Sequence, residues 1–434
     1  MIDIELCQMY SHPEHWISAL DEYQCYVYGQ PSMSFLSPTF CMTRFFKLYL
    51  FGILATSGAT VAADPPQFEV AAWIDHFDFA LHYDTETVPG LSAILDHAEE
   101  AGSNTIWWRT HSGGRVRYQS QLGPGFHHDS IIDKRLGFDT RDVYGWVHYG
   151  ETDFDMLQEV VLMCRQRGLK VGVHWPFEEA HFHSFSLGQF NLENPQYWGR
   201  AEDGSLRMSF CSIGHEKVIQ FRLALLDEML KRGIDVLYLD FMRTTYNPHF
   251  EHVEPIQAAY QGGLWNKHAF GYVTTYMRRI RKHLDASGRK VELVVGIPAF
   301  QSGVKDTSTG WDWLKWIDEG LVDTLNIIWV AWDDKDPFGS TRALYREAVQ
   351  LVDGRCRVLL PIRQYNHYAT RGLPAYERVS GKTQTEVASE LMLIAHDVGA
   401  DGVALECLDY NNYVPTTRRA IKEAAEGVCH FKKN

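Results

Sequence analysis

From residue 68 onward, short runs dense in apolar, β-branched and aromatic residues alternate with longer stretches in which apolar residues return every third or fourth position. The short runs read as buried strands and the longer stretches as amphipathic helices. The runs fall at 68–75, 104–110, 170–175, 235–243, 291–298, 324–332, 357–364 and 402–408. Between them, helical patterning is clearest at 88–101, 153–167, 216–232, 311–319 and 383–398. A capping carboxylate is expected at the start of 153–167. Glycines follow these stretches at Gly102, Gly168, Gly233, Gly320 and Gly399. Each marks a helix end and the entry to the next strand, because a helix often stops on a left-handed residue that only glycine adopts without cost.

Strand-then-helix units imply parallel strands joined by crossover helices. Eight such units are the number that closes a (β/α)8 TIM barrel, an α/β fold whose chemistry sits at the C-terminal ends of the strands. A doubly wound open sheet is the competing arrangement, but no glycine-rich phosphate loop follows the first strand. The connections after the second and third runs are long, so the barrel is expected to carry extended loops at its C-terminal face. At roughly 150 residues per domain, 434 residues would suggest about three domains. The repeated units, with no Pro/Gly/Ser linker between them, argue for one barrel over 64–434.

The segment before the barrel has a different character. Residues 43–47 are short and basic, residues 48–55 are apolar, and Val61-Ala62-Ala63 has the small-x-small form of a signal-peptidase site. The apolar run is too short to span a bilayer. We read 42–63 as a cleaved signal peptide, with Met42 the natural start and 1–41 an extension from an early start codon. The protein is then secreted or periplasmic. Of the eight cysteines, Cys164, Cys211, Cys356, Cys407 and Cys429 remain, without zinc-like spacing. Cys164, Cys356 and Cys407 lie in apolar segments and read as small core residues.

A formal net charge of −14 disfavours nucleic acid and anionic membrane surfaces as partners. The strand ends supply the candidate chemistry. They carry Asp75, Trp108 and Arg109, His174 and Trp175 with Glu178 beyond, Asp240 and Arg243, Trp332 and Asp333, Arg363 and Tyr365, and Glu406. Carboxylates, cationic groups and flat rings on one rim suit a carbohydrate, since acidic groups accept hydroxyl protons and aromatic faces stack on the C–H faces of sugars. Glycoside cleavage needs two carboxyl groups, one protonated to serve the leaving oxygen and one ionised to attack or to activate water. Asp240 is the first choice for the ionised group, with Arg243 near enough in sequence to hold it charged; the alternative is a structural carboxylate bonded to Arg243 or to backbone. Glu178 and Glu406, in apolar settings, rank above Asp333 as the acid, and the sequence leaves this choice open. Asp75, Trp108, Arg109, His174, Trp175, Arg243, Trp332, Arg363 and Tyr365 are the substrate-binding candidates, Asp75 having a partnership with Arg109 as its other reading.

Two stretches carry a family resemblance. Gly233-Ile234-Asp235-Val236-Leu237-Tyr238-Leu239-Asp240-Phe241-Met242-Arg243 resembles the fourth-strand signature of glycoside-hydrolase-like barrel families, of the glycosyl hydrolase-like family 10 type. Trp313-Leu314-Lys315-Trp316-Ile317-Asp318-Glu319-Gly320-Leu321-Val322-Asp323 resembles their lead into the sixth strand. The chain departs from the pattern at Val236, where the family has glycine, and after Arg243, where Thr244-Thr245-Tyr246 replaces Tyr-Pro. The resemblance implies a (β/α)8 glycosidase, with no cofactor.

Two other readings compete with a glycosidase. One is a carbohydrate-binding barrel without catalysis. The other is a metal-dependent hydrolase, suggested by His181 and His183 on alternate positions of a loop. Barrels of the metal-dependent kind place such a pair at the first strand, where this chain has Asp75-His76. We therefore assign no metal ligands. No nucleophile elbow or P-loop is present in the sequence.

Overall fold

The computed structural model describes residues 68–75, 78, 87–112, 115–116, 118–122, 154–177, 189–200, 206–241, 265–299, 311–330, 335–362, 380–408 and 415–431. All lie within the unit Ala63–Asn434. In chain order they form β1 (Glu69–Ile74), α1 (Val88–Glu100), β2 (Thr105–Arg109), β3 (His111–Ser112), β4 (Arg115–Val116), α2 (Met156–Arg167) and β5 (Lys170–Pro176). Next come α3 (Gln189–Glu193), β6 (Trp198–Arg200), β7 (Leu206–Cys211), α4 (Glu216–Arg232), β8 (Val236–Asp240), α5 (Trp265–Ala286) and β9 (Glu292–Ala299). The last are α6 (Trp313–Asp318), β10 (Thr324–Val330), α7 (Pro337–Val352), β11 (Arg357–Ile362), α8 (Gln384–Asp397), β12 (Gly402–Glu406) and α9 (Pro415–Phe431).

Eight strands close into a barrel in the order β1-β12-β11-β10-β9-β8-β5-β2, every pairing parallel. This is the (β/α)8 TIM barrel that the alternation implies, and each of its strands falls within two residues of a sequence run at its start. The small antiparallel pairs β3–β4 and β6–β7 follow barrel strands β2 and β5, where the long loops were expected. Helices α5, α7 and α9 are not among the stretches picked out from the sequence, although α5 and α9 are strongly amphipathic. The cap of α2 is Asp155, two residues after the expected carboxylate, accepting from the Gln158 N–H at 3.1 Å.

The strand entries have a physical rationale that goes beyond the glycine stop. Gly102, Gly168, Gly233, Gly320 and Gly399 all have positive φ. At four junctions an Asx residue follows within a few positions and clamps the neighbouring strand. The side chains of Asn104, Asp235, Asp323 and Asp401 accept from the backbone N–H of Val70 (3.1 Å), Val171 (3.2 Å), Leu293 (2.7 Å) and Val358 (2.9 Å). Their own N–H groups donate to the carbonyls of those same four residues. Register is thereby fixed at the start of alternate strand pairs around the barrel.

Strand alternation divides the core into two layers. An outer layer joins the strands to the helices and includes Val70, Ala72, Ile74, Trp108, Val173, Trp175, Leu237 and Leu239. An inner cluster fills the lumen: Ala71, Trp73, Trp107, Val236, Tyr238, Val294, Ile328, Leu359 and Ala404. Gly296 is what lets the Tyr238 ring enter, because a Cβ there would collide with the tyrosine oxygen and lie 2.7 Å from Ile328 Cδ1. Below this aromatic layer, at the N-terminal ends of the strands, Glu69, Lys170, Glu292 and Arg357 form a compact ion-pair network. Burial would push the Glu292 carboxyl up, but Lys170, Thr324 and Arg357 outweigh it and hold it below the usual range.

Candidate functional site

The inner phase of the strands runs on past the aromatic layer to the C-terminal rim. Asp75 lies two residues beyond Trp73, Arg109 two beyond Trp107, His174 two beyond Gly172, Asp240 two beyond Tyr238, and Glu406 two beyond Ala404. A period of two puts all five on the lumen side. Asp75, Arg109, His174 and Asp240 are fully buried, and Glu406 is 3% exposed. These five span β12, β1, β2, β5 and β8, which are consecutive in the barrel. The polar groups therefore occupy one continuous arc.

Asp240 on β8 and Glu406 on β12 end that arc. The closed order puts four strand steps between them in either direction, so they stand on opposite walls. An eight-stranded barrel is only wide enough for its side chains to meet. Two carboxyl groups from opposite walls at the same end are thus directed toward a shared axial space.

The groups between them are ordered by hydrogen bonds. Arg109 Nη1 donates to both Asp75 oxygens, at 3.0 and 2.8 Å, and Arg109 Nε donates to the His111 carbonyl at 2.8 Å. Asp75 thus pairs with Arg109, the second of the two readings of that residue. Asp78 accepts from the Asp75 N–H at 2.7 Å and closes the turn after β1. His174 Nε2 lies 2.9 Å from Asp240 Oδ2, and Trp73 Nε1 donates to His174 Nδ1 at 2.9 Å. Burial drives the His174 imidazole down to about 4, against the pull of Asp240, so it is neutral at neutral pH. Asp75 and Arg109 form a fully buried ion pair.

The other sequence candidates fall in different places. Trp108 and Trp175 are buried in the outer layer among the helices, not on the lumen side. Trp175 stacks on His111 with ring centroids 4.9 Å apart. Their neighbours Arg109 and His174 face inward, and adjacent strand residues cannot share a face. This corrects the expectation that these two indoles serve as platforms. Glu178, Arg243, Trp332, Asp333, Arg363 and Tyr365 lie outside the described residues, as do His76, His181 and His183. Among the described residues Asp240 is met by His174; Arg243, to which the sequence pointed, lies outside them.

Three aromatic residues were not recognised as lumen-facing: Trp73, Trp107 and Tyr238. Tyr238 stacks on Trp107 at 4.4 Å and on His174 at 5.3 Å, meets Trp73 edge-on at 5.4 Å, and accepts from Asn326 Nδ2 at 3.1 Å. They form the floor on which the polar arc rests. The signal that finds them is parity with Asp75, Arg109 and Asp240. Among the described residues no group of three or more His, Cys, Asp or Glu side chains is placed to hold a metal ion. Of the cysteines, Cys164 and Cys407 are buried as expected and Cys356 is half-buried.

Fold and site together define a (β/α)8 barrel whose described lumen rim carries Asp75, Arg109, His174, Asp240 and Glu406. Solved structures share this architecture. The alpha-L-fucosidase isoenzyme 2 from Paenibacillus thiaminolyticus superposes with a TM-score of 0.52 at 12% identity, over 83% of this chain and 49% of that protein. The endo-beta-1,4-mannanase from Thermotoga petrophila gives a TM-score of 0.48 at 11% identity, covering 84% and 77% of the two chains. The chain thus spans about half the length of the fucosidase it resembles in fold. No protein-family model and no curated protein matches the sequence.

Proposed function

We propose that the protein is a glycoside hydrolase, acting on an oligo- or polysaccharide, with Asp240 as the ionised carboxylate and Glu406 as its opposing carboxyl. The observation that carries this reading is the placement of these two groups on opposite walls of the lumen, at the end where barrel chemistry resides. Cleavage of a glycosidic bond requires two carboxyls flanking one bond, and a pair on opposite walls supports that reading. Glu178 and Asp333 stay as further acid candidates, and Arg243, Trp332, Arg363 and Tyr365 as candidate substrate contacts. The name of the fucosidase that shares the fold agrees with the class of reaction without indicating the sugar. The finer likeness, to glycosyl hydrolase-like family 10 type proteins, rests on the stretches 233–243 and 313–323.

The test is a panel of aryl glycosides and polysaccharides offered to the wild-type chain, D240N and E406Q. The reading expects turnover of at least one substrate by the wild type and its loss in D240N. Binding of a glycan with no turnover of any would replace it with a carbohydrate-binding barrel. Activity lost to a chelator and restored by a divalent ion would replace it with a metal hydrolase. Export belongs to the same proposal, supported by the basic, apolar and small-residue order of 43–63. N-terminal sequencing of secreted protein should begin at Asp64, and a mature chain beginning upstream of Met42 would refute it.

A further inference from the structure

The polar arc contains a group that the glycosidase reading does not itself require. His174 stands toward the C-terminal end of β5, fully buried, with a donor on one ring nitrogen and a carboxylate on the other. The two contacts are not equivalent. An indole N–H can only donate, because its nitrogen lone pair belongs to the ring. The Trp73 bond at 2.9 Å therefore requires a bare lone pair on His174 Nδ1. A neutral imidazole with Nδ1 bare carries its proton on Nε2, and Nε2 is the atom 2.9 Å from Asp240 Oδ2.

We infer that Trp73 locks His174 as the neutral Nε2–H tautomer, making His174 a positioning residue that donates one uncharged hydrogen bond to Asp240. The inference rests on the proposed role of Asp240 for its catalytic meaning. The lock itself is a property of the fold. A charged guanidinium or ammonium in this place would neutralise Asp240; a neutral N–H fixes the orientation of the carboxylate and leaves its charge in place. Trp73 is itself held, edge-on to His174 at 4.5 Å and to Tyr238 at 5.4 Å, within the inner cluster.

The charged and titratable groups facing His174 are consistent with a fixed state. Asp240 on β8 favours a proton on the ring, as does Asp75 at the end of β1, while Arg109 on β2 opposes it. Tyr238 stacks on the ring at 5.3 Å. Burial outweighs all of these and keeps the ring neutral.

The test uses the full chain labelled with 15N at histidine and tryptophan. The His174 signals are identified by their disappearance in H174Q, and independently by the through-hydrogen-bond coupling between Trp73 Nε1 and His174 Nδ1. The expected result is a protonated Nε2 and a bare Nδ1, unchanged from pH 8 to pH 5. D240N should leave Nδ1 bare, because the lock comes from Trp73. W73F should release it, giving a mixed tautomer or protonation within that range. A protonated Nδ1 in the wild type, or a W73F spectrum identical to the wild type, overturns the inference. None of these outcomes depends on turnover, so failure of the glycosidase reading is seen separately in the substrate panel. On any aryl glycoside that is hydrolysed, H174L should lose roughly 10- to 100-fold more kcat than H174Q, which keeps an amide N–H near the Nε2 position, the size expected for a hydrogen bond to a charged group. Equal losses in the two variants would remove the positioning role.

Discussion

Lowering the pH should destabilise this protein through His174 before most carboxylates titrate. The imidazole has an ordinary value of 6.5, and burial in the lumen brings it to about 4. Between those values the unfolded chain binds a proton that the folded chain refuses. Stability therefore falls as pH drops through that window; above 6.5 His174 has no effect, and below about 4 its full cost is reached. Each unit of difference corresponds to about 1.4 kcal/mol, so a span of 6.5 to about 4 predicts a loss of about 3 kcal/mol. Because the group is fully buried, this magnitude needs no reduction for solvent screening. The assay is urea unfolding of the wild type and of H174Q at half-unit steps from pH 7.5 to pH 4. Carboxylates held low by partners, such as Glu292 and Glu319, act alike in both proteins and cancel in the difference. The stability of H174Q relative to the wild type should rise by about 3 kcal/mol across the window. A difference that stays flat to within about 1 kcal/mol, or that changes in the opposite direction, would refute a neutral, desolvated His174.

Two further predictions concern the floor of the barrel. E292Q removes the carboxylate shared by Lys170, Thr324 and Arg357 and should cost about 2–3 kcal/mol at pH 7, read from urea midpoints. Since its folded value is lowered, that contribution is present above the ordinary carboxylate range and is lost as pH falls below about 4.5; the E292Q penalty should shrink there, and a penalty independent of pH would contradict the ion-pair account. G296A places a Cβ against the Tyr238 hydroxyl and Ile328, and should destabilise by about 1–3 kcal/mol with a changed near-ultraviolet aromatic signal; an unaltered signal and midpoint would mean that Tyr238 does not fill the space beside residue 296.

Much of the fold was legible because its signals are local. Each barrel strand is a compact apolar run, and glycines at Gly102, Gly168, Gly233, Gly320 and Gly399 punctuate the helix ends, where positive φ is required. Asn104, Asp235, Asp323 and Asp401 follow four of these glycines closely, but their clamps on the neighbouring strand depend on pairing and not on sequence neighbours. The candidate site was legible in part for a similar reason. Asp75, Arg109, His174, Asp240 and Glu406 end strands, and strand ends are where a barrel collects its chemistry. Which residue of an adjacent pair faces the lumen is a matter of phase. Trp108 beside Arg109 and Trp175 beside His174 could not share the inner face with them, and the structure gives that face to the polar member of each pair. Phase also hid Trp73 and Tyr238, which sit two residues before Asp75 and Asp240. The His174–Asp240 contact joins residues 66 positions apart, and nothing short of the β5–β8 pairing brings them together.

The central claim is that Asp240 and Glu406 act as a pair on one glycosidic bond. Its most direct measurement is the rate of aryl-glycoside hydrolysis by wild type, D240N, E406Q and the double variant, each first shown to unfold at the wild-type urea midpoint. The account predicts that each single variant loses at least about 10²-fold in kcat, as expected for removal of a nucleophile or general acid. It predicts that the double variant loses little more than the worse single one, because groups acting as a unit are not additive. Hydrolysis undiminished in D240N, or losses that simply multiply in the double variant, would contradict it.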